Sequence, residues 1–308
     1  MINVVTLKFL NLKSAMQPIN TELKNFLQER YSAATAAAYH REIVTFLENF
    51  PDAQTAGYRQ IMEYIGQLRR RYSNGKTLKR LLYSIKAFYG FLNHTGIRED
   101  HPAASIRLRD RQDRDVQLQD LFSVQELESL LDVKRERYRG LELRNRVLMS
   151  LLIYQGLLSG EIERIRLQDI DLEKGTVYVH GGGKTNARTL PLRTSQVMLF
   201  YRYIHQARVE LLAEAESEML LIGHRGKAVA GSDIPKHIKR HYSKRFEGRR
   251  VTVQSIRQSV ITNLLKSGKE LRVVQTFAGH KYPSATEKYK QSHVEALQTA
   301  INNYHPIR

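Results

Sequence analysis

Gly175-Thr176-Val177-Tyr178-Val179-His180, then Gly181-Gly182-Gly183, then Arg188-Thr189-Leu190-Pro191-Leu192, is the stretch that decides the fold class. Residues 175–180 alternate apolar and polar side chains with the two-residue period of a half-buried strand. Three glycines turn the chain, and residues 188–192 return as a second strand. Outward from this hairpin the apolar spacing changes to that of helices. Upstream, helical segments fall around 142–155 and 160–167. They are preceded by Ser123-Val124-Gln125-Glu126, a capping box ahead of Leu127, Leu130 and Leu131. Downstream the pattern is helical again from about residue 195. The second half of the chain is therefore expected to be α-rich with a small antiparallel sheet or hairpin.

The first half reads as all-helical, with four helices. Ile19 to Arg30 suits a short one. Ser32 can cap a helix to about Phe50, with Tyr39, Ile43, Phe46 and Leu47 on one face. Tyr58 to Tyr72 places Ile61, Tyr64, Ile65 and Leu68 together. Asn74-Gly75 breaks the chain before a long helix from about Lys76 to His94, which Gly96 stops. The stretch 106–115, Ile-Arg-Leu-Arg-Asp-Arg-Gln-Asp-Arg-Asp, alternates in sign with few apolar anchors and suits a solvated linker. The expected organisation is an N-terminal arm (1–16), a helical domain (17–105), a linker (106–119) and an α-rich domain (120–308).

The chain has 308 residues, with 49 Lys and Arg against 31 Asp and Glu, a net charge of +18. The helical domain carries +4 and the C-terminal domain +11. An excess spread over two folded units, rather than gathered in a tail, points to a polyanion held from two sides. An anionic membrane surface is the weaker choice, because the basic residues lie in globular patterns and not on one amphipathic helix. The longest apolar runs, such as 147–153, are far short of the ~20 residues needed to span a bilayer. The absence of cysteine removes disulfides, thiolate nucleophiles and Cys-type zinc sites. The 11 histidines show neither a His-Glu-x-x-His pattern nor, on this reading, paired-ligand spacing, and no catalytic metal is expected.

Four spaced signatures then fall in a telling order. Tyr154-Gln155-Gly156-Leu157-Leu158-Ser159-Gly160-Glu161 precedes Asp169-Ile170-Asp171-Leu172. The glycine-rich hairpin carries Lys184. Gln254-Ser255-Ile256-Arg257 follows. Phe277-Ala278-Gly279-His280 comes last, with Tyr289 nine residues beyond His280. The set resembles the tyrosine recombinases, the phage-integrase family, over nearly the whole chain, and residues 17–105 resemble that family's N-terminal core-binding, SAM-like domain.

The resemblance implies a site-specific DNA strand-exchange enzyme that works through a covalent 3′-phosphotyrosine and needs no cofactor. Tyr289 would be the nucleophile, Arg257 a phosphate clamp, His280 a donor to a non-bridging oxygen and Lys184 the general acid. Double-stranded DNA would be the partner, a homotetramer on paired sites the active form, and the bacterial cytoplasm, on the nucleoid, the location. Two positions depart from the family's pattern. Gln254 stands where histidine is usual; it can donate a hydrogen bond but not a proton. Leu158 stands where the first arginine is expected, and losing one transition-state donor typically costs about 10²–10³ in rate. Arg164, Arg166 and Arg188 are candidate substitutes. On an ideal helix Arg164 and Arg166 lie about 120° and 80° from position 158, out of register, which favours Arg188 from the hairpin.

Two further readings stay open at this point: a degenerate member that only binds DNA as a regulator or accessory factor, and a type IB topoisomerase-like activity, which the core-binding resemblance disfavours. For DNA contacts the candidates are Lys76, Lys79 and Arg80 at the start of the long helix, and Lys236, Lys239 and Arg240 in the basic run 236–245. The bland alternative for both groups is a solvated helix face. Residues 293–304, with Val294, Leu297 and Ile301, suit a helix that docks on a neighbouring protomer or on its own domain.

Overall fold

A computed structural model describes residues 20–109, 121–132, 136, 139–183 and 185–289. The N-terminal arm, most of the linker, Lys184 and the C-terminal segment 293–304 lie outside the described residues. The chain divides into two compact units, Met1–Arg114 and Asp115–Arg308.

The first unit is helical. Helix α1 covers residues 20–30, α2 Ala33–Asn49, α3 Tyr58–Arg71 and α4 Gly75–His94. Ser32 caps α2 through the Thr35 N–H, and Asn74 caps α4 through the Lys76 N–H. The apolar faces of α2, α3 and α4 meet in one core, where Phe46 lies between Tyr64 and Phe88 with ring centroids 5.0 and 6.0 Å away. The buried Tyr89 hydroxyl donates to the Ala53 carbonyl at 2.6 Å, so its polar end is satisfied inside that core. Ile106 is buried here too and Leu108 packs against it, so the chain stays tied to this unit beyond residue 105.

The second unit is built around α6 (Arg139–Tyr154), whose run Val147–Ile153 is buried on all sides. Before it, α5 (Val124–Ser129) starts with the reciprocal Ser123–Glu126 capping box. After it come the short α7 (Ser159–Ile162) and a three-stranded antiparallel sheet in the order β1-β2-β3: Ile170–Asp171, Thr176–Val179 and Arg188–Pro191. The first strand, only two residues long, is too short for its alternation to be legible in sequence. The expected helix over 160–167 ends at Ile162 instead. The backbone at Ile165 and Leu167 bonds to Leu220 and Glu218 (both 2.9 Å), which fixes those residues in an extended crossing.

Helix α8 (Thr194–Arg202) continues through a π-helical turn, Tyr203–Ala207, into α9 (Arg208–Leu212). The helical pattern expected from residue 195 onward is then interrupted. Ala213 takes positive φ, and residues 213–232 form a loop with a single 3₁₀ turn, because their backbone groups pair with 165–167 and with one another. Helices α10 (Asp233–Tyr242), α11 (Val253–Lys266), α12 (Leu271–Ala278) and α13 (residues 284–289) follow among the described residues. Among the described residues, no helix is long and apolar enough to cross a membrane.

Candidate active site

Two segments distant in sequence meet at the small sheet. The turn between β2 and β3 docks on the turn between α12 and α13: Thr185 bridges His280, and the Asn186 N–H donates to the Gly279 carbonyl at 2.8 Å. Gly279 ends α12 in the left-handed region (φ +69°), and only glycine fits there. A Cβ at that position would lie 2.8 Å from Arg188 Cζ and 3.0 Å from the Asn186 carbonyl oxygen. The hairpin thus sets the position of His280, and α13, which starts four residues later, carries Tyr289.

Within this junction lies a buried charged cluster. Arg257, on α11, donates from Nη1 to the Gly156 carbonyl (2.7 Å) and from Nη2 to the Ala278 carbonyl (2.5 Å). Arg188, on β3, donates from Nη1 and Nη2 to the two carboxylate oxygens of Glu161 (2.8 and 3.3 Å), and from Nε to the Phe277 carbonyl (2.7 Å). Glu161 also accepts from the Leu158 N–H (2.9 Å) and lies 3.7 Å from Arg257 Nη1. Burial pushes the Glu161 carboxyl up, but the hydrogen bonds and charge of Arg188, the Leu158 N–H and the charge of Arg257 together hold it below its ordinary value. All three side chains are nearly inaccessible. One carboxylate therefore neutralises one of two guanidinium charges and leaves the cluster net positive.

His280 and Tyr289 flank this cluster. Their rings stack in parallel, 6.4 Å between centroids, and His280 Nδ1 lies 2.8 Å from the buried Thr286 hydroxyl. Burial, with Arg257 and Arg188 nearby, lowers the His280 pKa to about 4, so the imidazole is neutral at physiological pH. Tyr289 is buried against Ile261, Val274 and Ala278. Burial pushes its phenol up, and the charge of Arg257 pulls it the other way.

The structure brings Arg188, Arg257, His280 and Tyr289 together. Gln254 sits exposed on the first turn of α11, one turn before Arg257, and Lys184 is outside the described residues. Arg164 and Arg166 are exposed, and Arg166 pairs with Glu218 at 3.2 Å. Two members escaped the sequence reading, Glu161 and Thr286. Glu161 ends the Tyr154–Glu161 signature, and the signal for it was charge: two buried arginines need a carboxylate.

The basic candidates fall on two helices in different units. On α4, Lys76 is exposed, Lys79 lies 6.0 Å from the centre of the Tyr83 ring, and Arg80 Nε is 2.7 Å from the buried Glu42. On α10, Lys236, Lys239 and Arg240 are exposed, and Lys236 pairs with Asp233 at 2.8 Å. The same helix corrects the reading of the histidines. His237 and His241 stand one turn apart and, with Glu136, bring possible ligand atoms within 4.8 Å of one another. Burial, together with His241, Arg144 and Arg240, lowers His237 to about 4. The two guanidinium groups that repel a proton there would repel a dication as well.

A helical unit, followed by a second unit in which a small sheet meets a buried arginine cluster and a tyrosine near the chain's end, is the architecture of a tyrosine-type recombinase. The chain belongs to the phage integrase family: that family's model matches residues 121–296, and the model of the phage integrase N-terminal SAM-like domain matches residues 22–96. Among curated relatives, tyrosine recombinase XerC of Alcanivorax borkumensis is 28% identical over 297 residues, covering 95% of each chain. Tyrosine recombinase XerD of Staphylococcus aureus is 28% identical over 305 residues, covering 94% of this chain and 99% of that one. Among solved structures, XerH recombinase bound to a palindromic difH substrate after cleavage has TM-score 0.69 at 18% identity, covering 88% of this chain and 80% of that one. A lambda integrase dimer bound to a COC′ core site has TM-score 0.65 at 16% identity, covering 86% and 92%. At such identities the likeness is one of fold.

Proposed function

We propose that this recombinase cuts and rejoins duplex DNA at specific sites through Tyr289. The observation that carries the reading is the burial of Tyr289 against His280 beside the net-positive Arg257–Glu161–Arg188 cluster. In the forward step the Tyr289 phenol gives up its proton to solvent as its oxygen attacks the scissile phosphorus. A P–O bond to tyrosine forms, the P–O5′ bond breaks, and the 3′ phosphate remains on the protein. The 5′ oxygen leaves as a hydroxyl after taking a proton, for which Lys184 is the proposed donor. The reverse step on another strand consumes the phosphotyrosine, so the bond energy is retained and no cofactor is needed.

Arg257 binds the phosphate through its fork. If the Thr286 hydroxyl donates to His280 Nδ1, the neutral ring keeps its proton on Nε2 and offers it to a non-bridging oxygen. Gln254, exposed at the start of α11, serves as a further donor. Lys76, Lys79, Arg80, Lys236, Lys239 and Arg240 hold the DNA backbone, with Arg80 leaving Glu42 for a phosphate. The active form is a homotetramer on paired sites, and the protein works in the bacterial cytoplasm on the nucleoid.

The second reading, a recombinase-like protein that binds DNA without cutting it, draws on Leu158 and Gln254. A nicked suicide substrate separates the two. The recombinase reading expects a denaturation-resistant protein–DNA adduct with the native chain and none with Tyr289→Phe. Tight cognate binding without adduct formation supports the binder.

A further inference from the structure

We infer that Arg188 is the second guanidinium of the phosphate pocket, delivered from strand β3 onto the Glu161 carboxylate rather than from position 158. The inference rests on the recombinase reading of this site. It begins with charge. A phosphodiester carries one negative charge, and more collects on its oxygens as a fifth ligand adds to phosphorus. Arg257 and Glu161 alone cancel, and that pair has no net charge with which to attract a phosphate. Arg188 restores a net charge of +1 at the same carboxylate, where low exposure keeps that charge from being screened.

Geometry ties Arg188 to position 158. Glu161 Oε2 accepts from the Leu158 N–H at 2.9 Å and from Arg188 Nη2 at 3.3 Å. The main chain of residue 158 and the guanidinium of residue 188 thus share one oxygen atom. A cationic side chain at 158 would be rooted beside the carboxylate that Arg188 now holds.

Anchoring makes Arg188 a fixed charge. Of its five N–H groups, two go to Glu161, one to the Phe277 carbonyl and one to the Asn186 carbonyl (3.3 Å), which leaves one on Nη2. The guanidinium lies against Gly279, the residue before His280. The contact with Gly279 is made by Nη1 and Cζ, so the charge of Arg188 lies one residue from His280. Arg164 and Arg166 are exposed: Arg166 pairs with Glu218, and Arg164 lies by Gly182 in the hairpin turn and not on Glu161.

The test uses two substrates, a normal scissile phosphodiester and one with a neutral methylphosphonate at the same position. Arg188→Leu should cut the phosphodiester about 10²–10³-fold more slowly and cut the methylphosphonate within about threefold of the native chain, because the missing cation no longer has a charge to meet. Adding Leu158→Arg to Arg188→Leu should restore at least about tenfold of the phosphodiester rate. Arg188→Lys, which keeps charge without the fork, should fall between. If Arg188→Leu does not fold, the Leu158→Arg, Arg188→Leu double variant and Arg188→Lys carry the same comparison. Near-native phosphodiester cleavage by Arg188→Leu, or equal impairment on both substrates, would overturn the assignment. A native chain that forms no Tyr289 adduct would instead bring down the recombinase reading itself.

Discussion

Two buried glutamates, one in each unit, show what separates a scaffold charge from a site charge. Glu42 in the helical unit is met by Arg80 at 2.7 Å, off the line of a good hydrogen bond, and that arginine is half exposed (side-chain exposure 53%). Glu161 in the second unit is met by Arg188 through a two-pronged contact, by a backbone N–H and by Arg257, with both arginines only 4% exposed. The first pair is open on one side and its arginine can change partners. The second is held by several partners at low exposure, so its charges stay where folding puts them. A phosphate pocket needs the second kind, because donors that are already fixed cost no reorganisation when the reaction begins.

The most direct way to break this comparison is to neutralise each glutamate. Glu161→Gln leaves two guanidinium groups buried at close range with no counter-charge, a change expected to cost about 3–5 kcal/mol. Glu42→Gln removes a poorly partnered buried carboxylate and should stay within about 1 kcal/mol of the parent. Urea unfolding of the two variants measures the difference. Equal losses would mean that the number of partners around a buried carboxylate does not set its worth here.

The glycines sharpen the same contrast. Gly96 and Gly279 both sit at φ +69°, but a Cβ at Gly96 meets nothing within 4 Å, whereas one at Gly279 meets Arg188 and Asn186. Gly96→Ala should therefore cost about 1 kcal/mol for backbone conformation alone. Gly279→Ala should cost about 1–3 kcal/mol more, because the hairpin must move off the His280 turn. Thermal melts of the two proteins test this, and an equal loss would show that the junction is soft.

Acid should act on the second unit's histidines. His237 and His280 both have their pKa lowered to about 4 by burial and neighbouring cations. Unfolded, each takes up a proton near 6.5. Between these values the unfolded chain holds more protons, so stability is full above about pH 6.5, falls as pH drops toward 4 and levels below it. The effect is on the order of 2 kcal/mol for each group after allowing for partial exposure. A His237→Gln, His280→Gln protein should lose much less between pH 7 and pH 4.5 than its parent. Carboxylates titrate in both proteins, so the difference between them isolates the histidines.

The helical unit was legible because its order is local. Ser32, Asn74 and the spacing of Ile61, Tyr64, Ile65 and Leu68 act within one or two turns. The site was legible only in part, because contacts that assemble it join residues as far as 101 positions apart. Tyr289, His280 and Arg257 were proposed from motif and order and Arg188 from the helical register of its rivals, and the four side chains lie at one junction. Nothing local to Glu161 says that it faces Arg188, because that contact exists only once β3 pairs with β2 and reaches α7. The 213–232 loop was hidden for a similar reason: its shape is set by pairing with Ile165 and Leu167 and within itself, not by its own periodicity.

The smallest effect returns to Arg80. If it leaves Glu42 to meet a DNA phosphate, Arg80→Ala should change stability little, since the lost partner was half exposed. It should weaken binding by a similar factor for every DNA sequence, because a phosphate contact carries no base information. The slope of log K against log salt should fall by about one, the number expected for a single phosphate contact. Lys236→Ala on α10 should behave alike, with Asp233 released from its pair. An unchanged slope with Arg80→Ala would mean that the arginine stays on Glu42 when DNA is bound. The open pair would then be a scaffold contact after all, and the exposure of one partner would not be enough to mark a charge as available.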